Sequence, residues 1–385
     1  MSNTQTKNVP ELRFPGFEGE YSLDIFGNLA TNKSDKFNPQ NENASIDIEL
    51  DCIEQNTGRL IKIYNSKEFS SQKNKFNPQN VLYGKLRPYL NKYYFTKKSG
   101  VCSSEIWVLK STKEDKLLNL FLYYFIQTKR YSDVASKSAG SKMPRADWGL
   151  IENIRVYFPE LCEQQKIGEF FSKLDRQIEL EEQKLELLQQ QKKGYMQKIF
   201  SQELRFKDEN GNDYPEWEET TIKEIAQINT GKKDTKDAIT NGSYDFYVRS
   251  PIVYKINTFS YEGEAILTVG DGVGVGKVFH YVNGKFDYHQ RVYKISDFKN
   301  YYGLLLFYYF SQNFLKETKK YSAKTSVDSV RKDMIANMKV PRPIYIEQEK
   351  IGQFIKKVDN KIKIQKQVIE LLKQRKKALL QKMFI

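Results

Sequence analysis

Positions 159–200 recur at 343–384, 184 residues later, with 20 of 42 positions identical and no gap. Both copies space apolar residues as a heptad helix does. The first runs Ile167, Phe171, Leu174, Ile178, Leu185, Leu188, Tyr195, Ile199; the second runs Ile351, Ile355, Val358, Ile362, Ile369, Leu372, Leu379, Met383. Polar interruptions coincide as well, Glu181 with Gln365 and Lys192 with Lys376. A chain carrying two such helices, each after a globular segment, has two heads joined to helical spacers rather than one core. Roughly 34 residues at ~1.5 Å each give a helix of about 50 Å, the scale of one to two turns of B-DNA.

The globular segments resemble each other mainly where they end. Tyr123-Tyr124-Phe125 precedes the first helix as Tyr308-Tyr309-Phe310 precedes the second. The stretch 153–156 corresponds to 337–340, a strand running into prolines at Pro159 and at Pro341/Pro343. Between them lie short apolar runs, among them 81–83, 106–109, 265–268, 277–280 and 291–293. Gly, Asn-Pro and Asn-Gly turns (Asn241-Gly242, Asn283-Gly284) separate these runs. This pattern predicts α+β heads with a mostly antiparallel, twisted sheet. Glu203-Leu-Arg-Phe206 follows the first helix, and its counterpart, Glu11-Leu-Arg-Phe14, stands at the start of the chain. The repeat is therefore expected to close on itself, with antiparallel helices and a head near each end of the pair. Joining the termini and cutting after Phe200 should then preserve function. A plain coiled-coil dimerisation arm would explain neither the matching head ends nor the divided Glu-Leu-Arg-Phe.

The formal charge is +14, divided as +6 over 1–158, −1 over 159–200, +2 over 201–342 and +7 over 343–385. The excess belongs to folded segments and suggests a polyanionic partner. Cys52, Cys102 and Cys162 fit neither a disulfide framework nor a zinc site, which points to a reducing cytoplasm. The first residues lack a secretory pattern, and the longest apolar runs are too short to span a bilayer, so no membrane is expected.

Candidate DNA-binding groups follow from residue chemistry. The stretch 84–95 holds cations and no acid, interleaved with Tyr89, Tyr93, Tyr94 and Phe95. Read as an alternating segment, it puts cations and amides on one face. Arg87 then has the fork for guanine, Asn91 the amide for adenine, and Lys85 and Lys92 suit phosphates. The plainer alternative is a solvated strand face with lysine stems lying along it. A second basic segment, 138–145, contains Ser141, Lys142 and Arg145; its counterpart, 324–331, contains Lys324, Thr325, Ser326 and Arg331. Helix capping is the alternative for these loops. Ser103, Ser104, Arg249 and Lys277 complete the set with His289, Gln290 and Arg291, for which a buried strand edge is the alternative.

Motifs for catalysis fail on inspection. In Gly270–Lys277, Asp271 stands where a P-loop needs its first glycine, and Val278 replaces the magnesium-binding hydroxyl. The G-x-G-x-x-G spacing fails at Val275 and Lys277, leaving a glycine-rich turn between strands. Asn38-Pro39-Gln40 and Asn77-Pro78-Gln79 lack the second proline and the aromatic of an amino-methyltransferase, and turn chemistry explains them. With two histidines, His280 and His289, nothing supports hydrolysis or a metal centre.

The chain resembles the specificity subunit of type I restriction-modification systems along its whole length. The E-Q-x-K-I-G-x-F…D start of each helix (163–175, 347–359), the stretch 84–90, the 102–106 strand and the paired loops before the helices carry the resemblance. It implies two target-recognition domains alternating with two long helices: 1–158, a central helical region 159–201, 202–342, and a C-terminal helical region 343–385. It also implies a non-catalytic reader of a bipartite asymmetric site in double-stranded DNA, with the helices setting the spacer. Two methylation subunits would dock on the helices and supply S-adenosylmethionine chemistry; motor-nuclease subunits would supply ATP and Mg chemistry, leaving this chain without a cofactor. The competing readings are a structural coiled-coil adaptor, whose DNA affinity would not vary with sequence, and a fused methyltransferase or nuclease component, which would bind S-adenosylmethionine by itself.

Overall fold

The computed structural model describes residues 8–43, 45–137, 142–320 and 329–385. It separates into two compact units, one of residues 1–183 with 366–385 and the other of 184–365. The long helices are Leu161–Phe200 and Tyr345–Met383, 40 and 39 residues. Each is about 60 Å at ~1.5 Å per residue, longer than the heptad pattern alone predicts. Each unit thus contains one head, the start of its own helix and the end of the other.

In the first unit, a four-stranded sheet runs in the order Ala30–Thr31, Ile106–Ser111, Val81–Gly84, Tyr93–Phe95. A second sheet of five short strands (36–37, 73–76, 100–102, 46–48, 64–65) is inserted between the strands of the first along the chain. In the second unit, one six-stranded sheet begins with the same plan: Gln227–Thr230, Val292–Ser296, Tyr261–Val269, Phe279–Tyr288, then 244–247 and 253–256. Among the described residues strand pairing is antiparallel except between 46–48 and 100–102 and between 244–247 and 279–288. The α+β expectation therefore holds. Asn283-Gly284 is a correction: it is not a turn but lies inside a ten-residue strand, with Gly284 opposite Gly263. Both glycines have positive φ, +142° and +138°, which a side chain would resist, so the pair lets the strand bend without ending.

The repeated helix start is explained residue by residue. Glu163 and Glu347 are buried and receive the arginine of a Glu-Leu-Arg-Phe element. Arg13 Nε and Nη2 donate to Glu163 at 2.9 and 2.8 Å; Arg205 Nε and Nη2 donate to Glu347 at 3.3 and 2.9 Å. Gln164 Nε2 donates to the Pro159 carbonyl (2.9 Å) while its Oε1 accepts from Leu118 N (2.9 Å). Gln348 does the same with Pro343 O (2.8 Å) and Tyr302 N (2.7 Å). A Cβ on Gly168 would stand 2.6 Å from Leu120, and one on Gly352 2.6 Å from Tyr302, so only glycine admits this approach.

The divided element completes the helix ends. Leu204 N donates to Lys198 O (3.0 Å), and Leu12 N donates to Lys382 O (2.9 Å), the equivalent carbonyl of the second helix. Phe206 meets Phe354 at 5.5 Å as Phe14 meets Phe170 at 5.6 Å. The order of head, helix, head, helix thus closes on itself, as the repeat predicts.

Within each unit the helix start and the visiting helix end run antiparallel. In the first, Asp175 pairs with Lys376 and Glu182 with Lys373, each at 2.6 Å. In the second, Lys192 pairs with Asp359 at 2.6 Å, and Tyr195 stacks edge-on with Phe354. The aspartates also accept from Tyr124 (3.1 Å) and Tyr308 (2.8 Å) of the head helices. The polar interruption of the seam is an ionic contact, half-buried at Lys192 and buried at Lys376. Around these pairs the first core gathers Phe121, Tyr124, Phe171 and Ile178 with Leu372, Leu380 and Phe384. The second gathers Met196 and Ile199 with Leu305, Tyr308, Ile351 and Ile355. Tyr195, placed in the seam by the heptad, keeps 38% of its accessibility, and Met196 takes the buried position.

Removing one partner of a buried ion pair leaves the other charge without compensation. Glu163→Ala should therefore cost about 3–5 kcal/mol, read by chemical denaturation, and far more than Glu186→Ala, an exposed residue of the same helix.

Candidate nucleic-acid interface

In the first head, strands 81–84 and 106–111 finish together, with Gly84 opposite Ile106. Three loops leave this edge and are stitched by backbone hydrogen bonds. Lys85 N donates to Glu105 O (3.0 Å), Ala146 N to Lys85 O (2.8 Å), and Arg87 N to Pro144 O (2.7 Å). The second head repeats the stitch: Val269 faces Val292, Gly270 N donates to Arg291 O (2.8 Å), and Val330 N donates to Gly270 O (2.7 Å). Leu86 bridges Arg145 as Asp271 bridges Ser329. The loops starting at 85 and 270, the turns ending at 105 and 291, and the arms at 145–146 and 329–330 are therefore equivalent.

This register corrects the pairing of Arg145 with Arg331. Arg145 stands where Ser329 does, and Arg331 is two residues further, at the N-cap of helix Lys332–Ala336. In the first head that cap is Asp147, whose side chain accepts from Gly149 N (2.9 Å). Ser141, Lys324, Thr325 and Ser326 lie outside the described residues.

The stretch 84–95 is not one alternating strand either. Proline at 88 ends the ladder, and Arg87 and Asn91 take left-handed conformations (φ 51° and 46°) around a single turn, Pro88–Leu90, before the strand resumes at Tyr93. Arg87 and Tyr89 are exposed on this turn. Asn91 is half-buried, and its amide donates to Asn56 (3.1 Å); Lys92 Nζ donates to Leu50 O (2.5 Å), which fixes the turn. Ser104, Lys142 and Arg145 are exposed beside it, with Lys85 and Ser103 half-buried.

In the second head, Arg249, Lys277, Gln290, Arg291 and Arg331 are exposed. The glycine-rich segment is the expected turn between strands 261–269 and 279–288, with positive φ at Gly272 and Gly276. His289 is a second correction, because it is buried rather than a surface reader. Its Nδ1 accepts from Arg291 N (2.9 Å), and burial pushes the imidazole below its ordinary pKa, so it shapes the turn as a neutral ring. Gln290 remains at the rim, donating to Asp234 at 3.2 Å.

Two carboxylates escaped the reading of the sequence. Arg145 donates in bidentate fashion to Glu105, Nε at 2.9 Å and Nη2 at 3.1 Å, and holds that carboxyl below the usual range. Asp271 lies 3.2 Å from Arg249 Nη1 and 3.6 Å from Arg291 Nε. Both acids lay within stretches already singled out, 102–106 and 270–277, but a search for cations passes over them.

The model of the type I restriction modification DNA specificity domain matches residues 20–190 and again 214–374. The chain belongs to that family. As a specificity subunit its role is recognition of DNA sequence for a type I restriction-modification complex, and the family is not itself catalytic. The chain is 26% identical over 340 residues to the type I restriction enzyme MjaVIII specificity subunit of Methanocaldococcus jannaschii, covering 74% of each. It is 25% identical over 169 residues to the EcoDI specificity subunit of Escherichia coli, covering 43% of this chain and 37% of that one. In fold it is similar to the type I system S subunit from M. genitalium (TM-score 0.63, 15% identity, 98% and 99% coverage). It is also similar to a chain from work on complex assembly and conformational transition of the type I R-M system (0.58, 16%, 94% and 97%). Among the described residues no helix of this specificity chain is long and apolar enough to cross a membrane, and no group of three His, Cys, Asp or Glu is placed to hold a metal.

Proposed function

We propose that this specificity subunit reads a bipartite, asymmetric site in double-stranded DNA, one half through each head. The observation that carries this reading is the loop stitch. The same three loops leave the same sheet edge in both heads, yet they present different side chains. One scaffold with two surfaces suits two different half-sites. The first surface offers Arg87, Tyr89, Ser104, Lys142 and Arg145. The second offers Arg249, Lys277, Gln290, Arg291 and Arg331. Exposed guanidinium groups match guanine O6/N7, and lysines match phosphates.

The long helices act as the ruler for the unread spacer and as the docking surface for two methylation subunits, which bring S-adenosylmethionine and extrude the target adenines. Motor-nuclease subunits bring ATP and Mg. Support for docking comes from a second apolar stripe, pointing away from the seam. Leu180 and Leu187 are exposed on the first helix; Ile364 and Leu371, their repeat equivalents, are exposed on the second. Equivalent stripes suit two copies of one partner.

Arg87→Ala should relax discrimination at one base pair by ~1–3 kcal/mol and leave the other half-site intact, measured by methylome sequencing of cells carrying the variant. An unchanged methylation pattern would remove Arg87 from the reading surface. Leu187→Glu combined with Leu371→Glu should release both methylation subunits in a co-purification, with the thermal melting of the isolated chain unchanged; retention of both would place docking elsewhere.

A further inference from the structure

Each head pairs exposed rim arginines with a carboxylate from a neighbouring loop, Arg145 in the first and Arg249 with Arg291 in the second, and the two heads do so from opposite positions. In the first, the acid is Glu105 at the end of the turn before strand 106–111, and the cation is Arg145 on the bridging arm. In the second, the turn position equivalent to Glu105 holds the cation Arg291. The acid is Asp271, the residue equivalent to Leu86. Arg249, from the loop after strand 244–247, joins the same acid. The pairing therefore does not follow from inherited position; the ion pair is built twice from different parts of one scaffold.

These pairs are exposed. The arginine side chains keep 52, 51 and 65% of their accessibility, and the acids 27 and 28%. Such a pair adds little to fold stability, since water and salt screen it. Its effect on a polyanion is larger. A guanidinium held by a carboxylate releases less counterion on meeting a phosphate, and the acid itself repels the backbone. A base edge offering two acceptors in the plane of the fork can replace the carboxylate; a phosphate at random register replaces it less well.

We propose that Glu105 and Asp271 are specificity-determining residues, counter-ions that hold Arg145, and Arg249 with Arg291, against non-cognate duplex and yield them to the correct base pair. This inference rests on the DNA-reading role proposed above. It adds a repulsive component to recognition, because discrimination is a difference between two affinities.

The test uses the full chain in complex with its methylation subunits, as wild type, Glu105→Gln, Asp271→Asn, and the control Glu219→Gln. Glu219 makes an exposed pair with Lys339 in the two-stranded sheet 218–221/339–342. A randomised duplex pool reports sequence enrichment, and poly(dA-dT) reports non-cognate binding as a function of salt. Both variants should bind poly(dA-dT) more tightly, with a salt slope steeper by about 0.9 per arginine released. Enrichment of the preferred sequence should fall roughly two- to fivefold, the worth of an exposed pair. The control should change neither. In an Arg145→Gln background, Glu105→Gln should produce no further gain, an outcome that a general loosening of the loop would not give. Unchanged slopes and enrichment, or equal weakening on all DNA, would overturn the inference. A wild-type complex that enriches no sequence would instead overturn the DNA-reading role on which it stands.

Discussion

Everything in this fold depends on two buried carboxylates at the starts of the long helices. Glu163 and Glu347 have side chains 1% and 0% accessible, so each must be matched by a cation and its remaining lone pairs by donors. The arginines that match them, Arg13 and Arg205, come from Glu-Leu-Arg-Phe elements whose neighbouring leucine amides cap the last turns of the long helices. Each element therefore grips the beginning of one helix copy and the end of the other. Removing the grip would expose a charge and leave helix carbonyls unpaired at once. The glutamines beside the carboxylates extend the same logic to the heads, because each ties its helix to the backbone of the segment preceding it.

Much of this was legible in the sequence because a duplication supplies its own control. Residues shared by both copies in one chain identify the positions that the architecture uses. Glu163, Gln164, Gly168 and Asp175 each have a partner that explains them. The divided Glu-Leu-Arg-Phe announced a closed order before any geometry. The heads were less readable. The inserted five-stranded sheet is made of strands of two to four residues, too short for periodicity to reveal. Asn283-Gly284 has turn chemistry but is overridden by eight register pairs along strands 261–269 and 279–288.

The candidate interface was half legible for a related reason. Exposed cations are visible as residue types, and Arg87, Arg145, Arg249 and Arg291 do reach the rims of the heads. Burial is not visible in the same way: His289 is drawn inside by a backbone amide two residues away, and Lys92 is held by a carbonyl 42 positions earlier. Nor does a local window give the register between loops. Only the hydrogen bonds at Lys85 and Gly270 established that Arg145 matches Ser329, and that the two heads place opposite charges at 105 and 291.

The exchange of helix ends has a consequence for how such a chain varies over generations. Asp175 answers to Lys376, and Lys192 to Asp359, so each copy of the repeat holds half of both contacts. The copies are not free to drift apart at these positions; a change in one calls for its complement in the other, far along the chain. Covariation is then expected crosswise, 175 with 376 and 359 with 192, rather than within a copy. Replacing the middle of a head disturbs none of these pairs. The molecule's memory of its duplication is thus confined to the spine, while its vocabulary is left open to recombination.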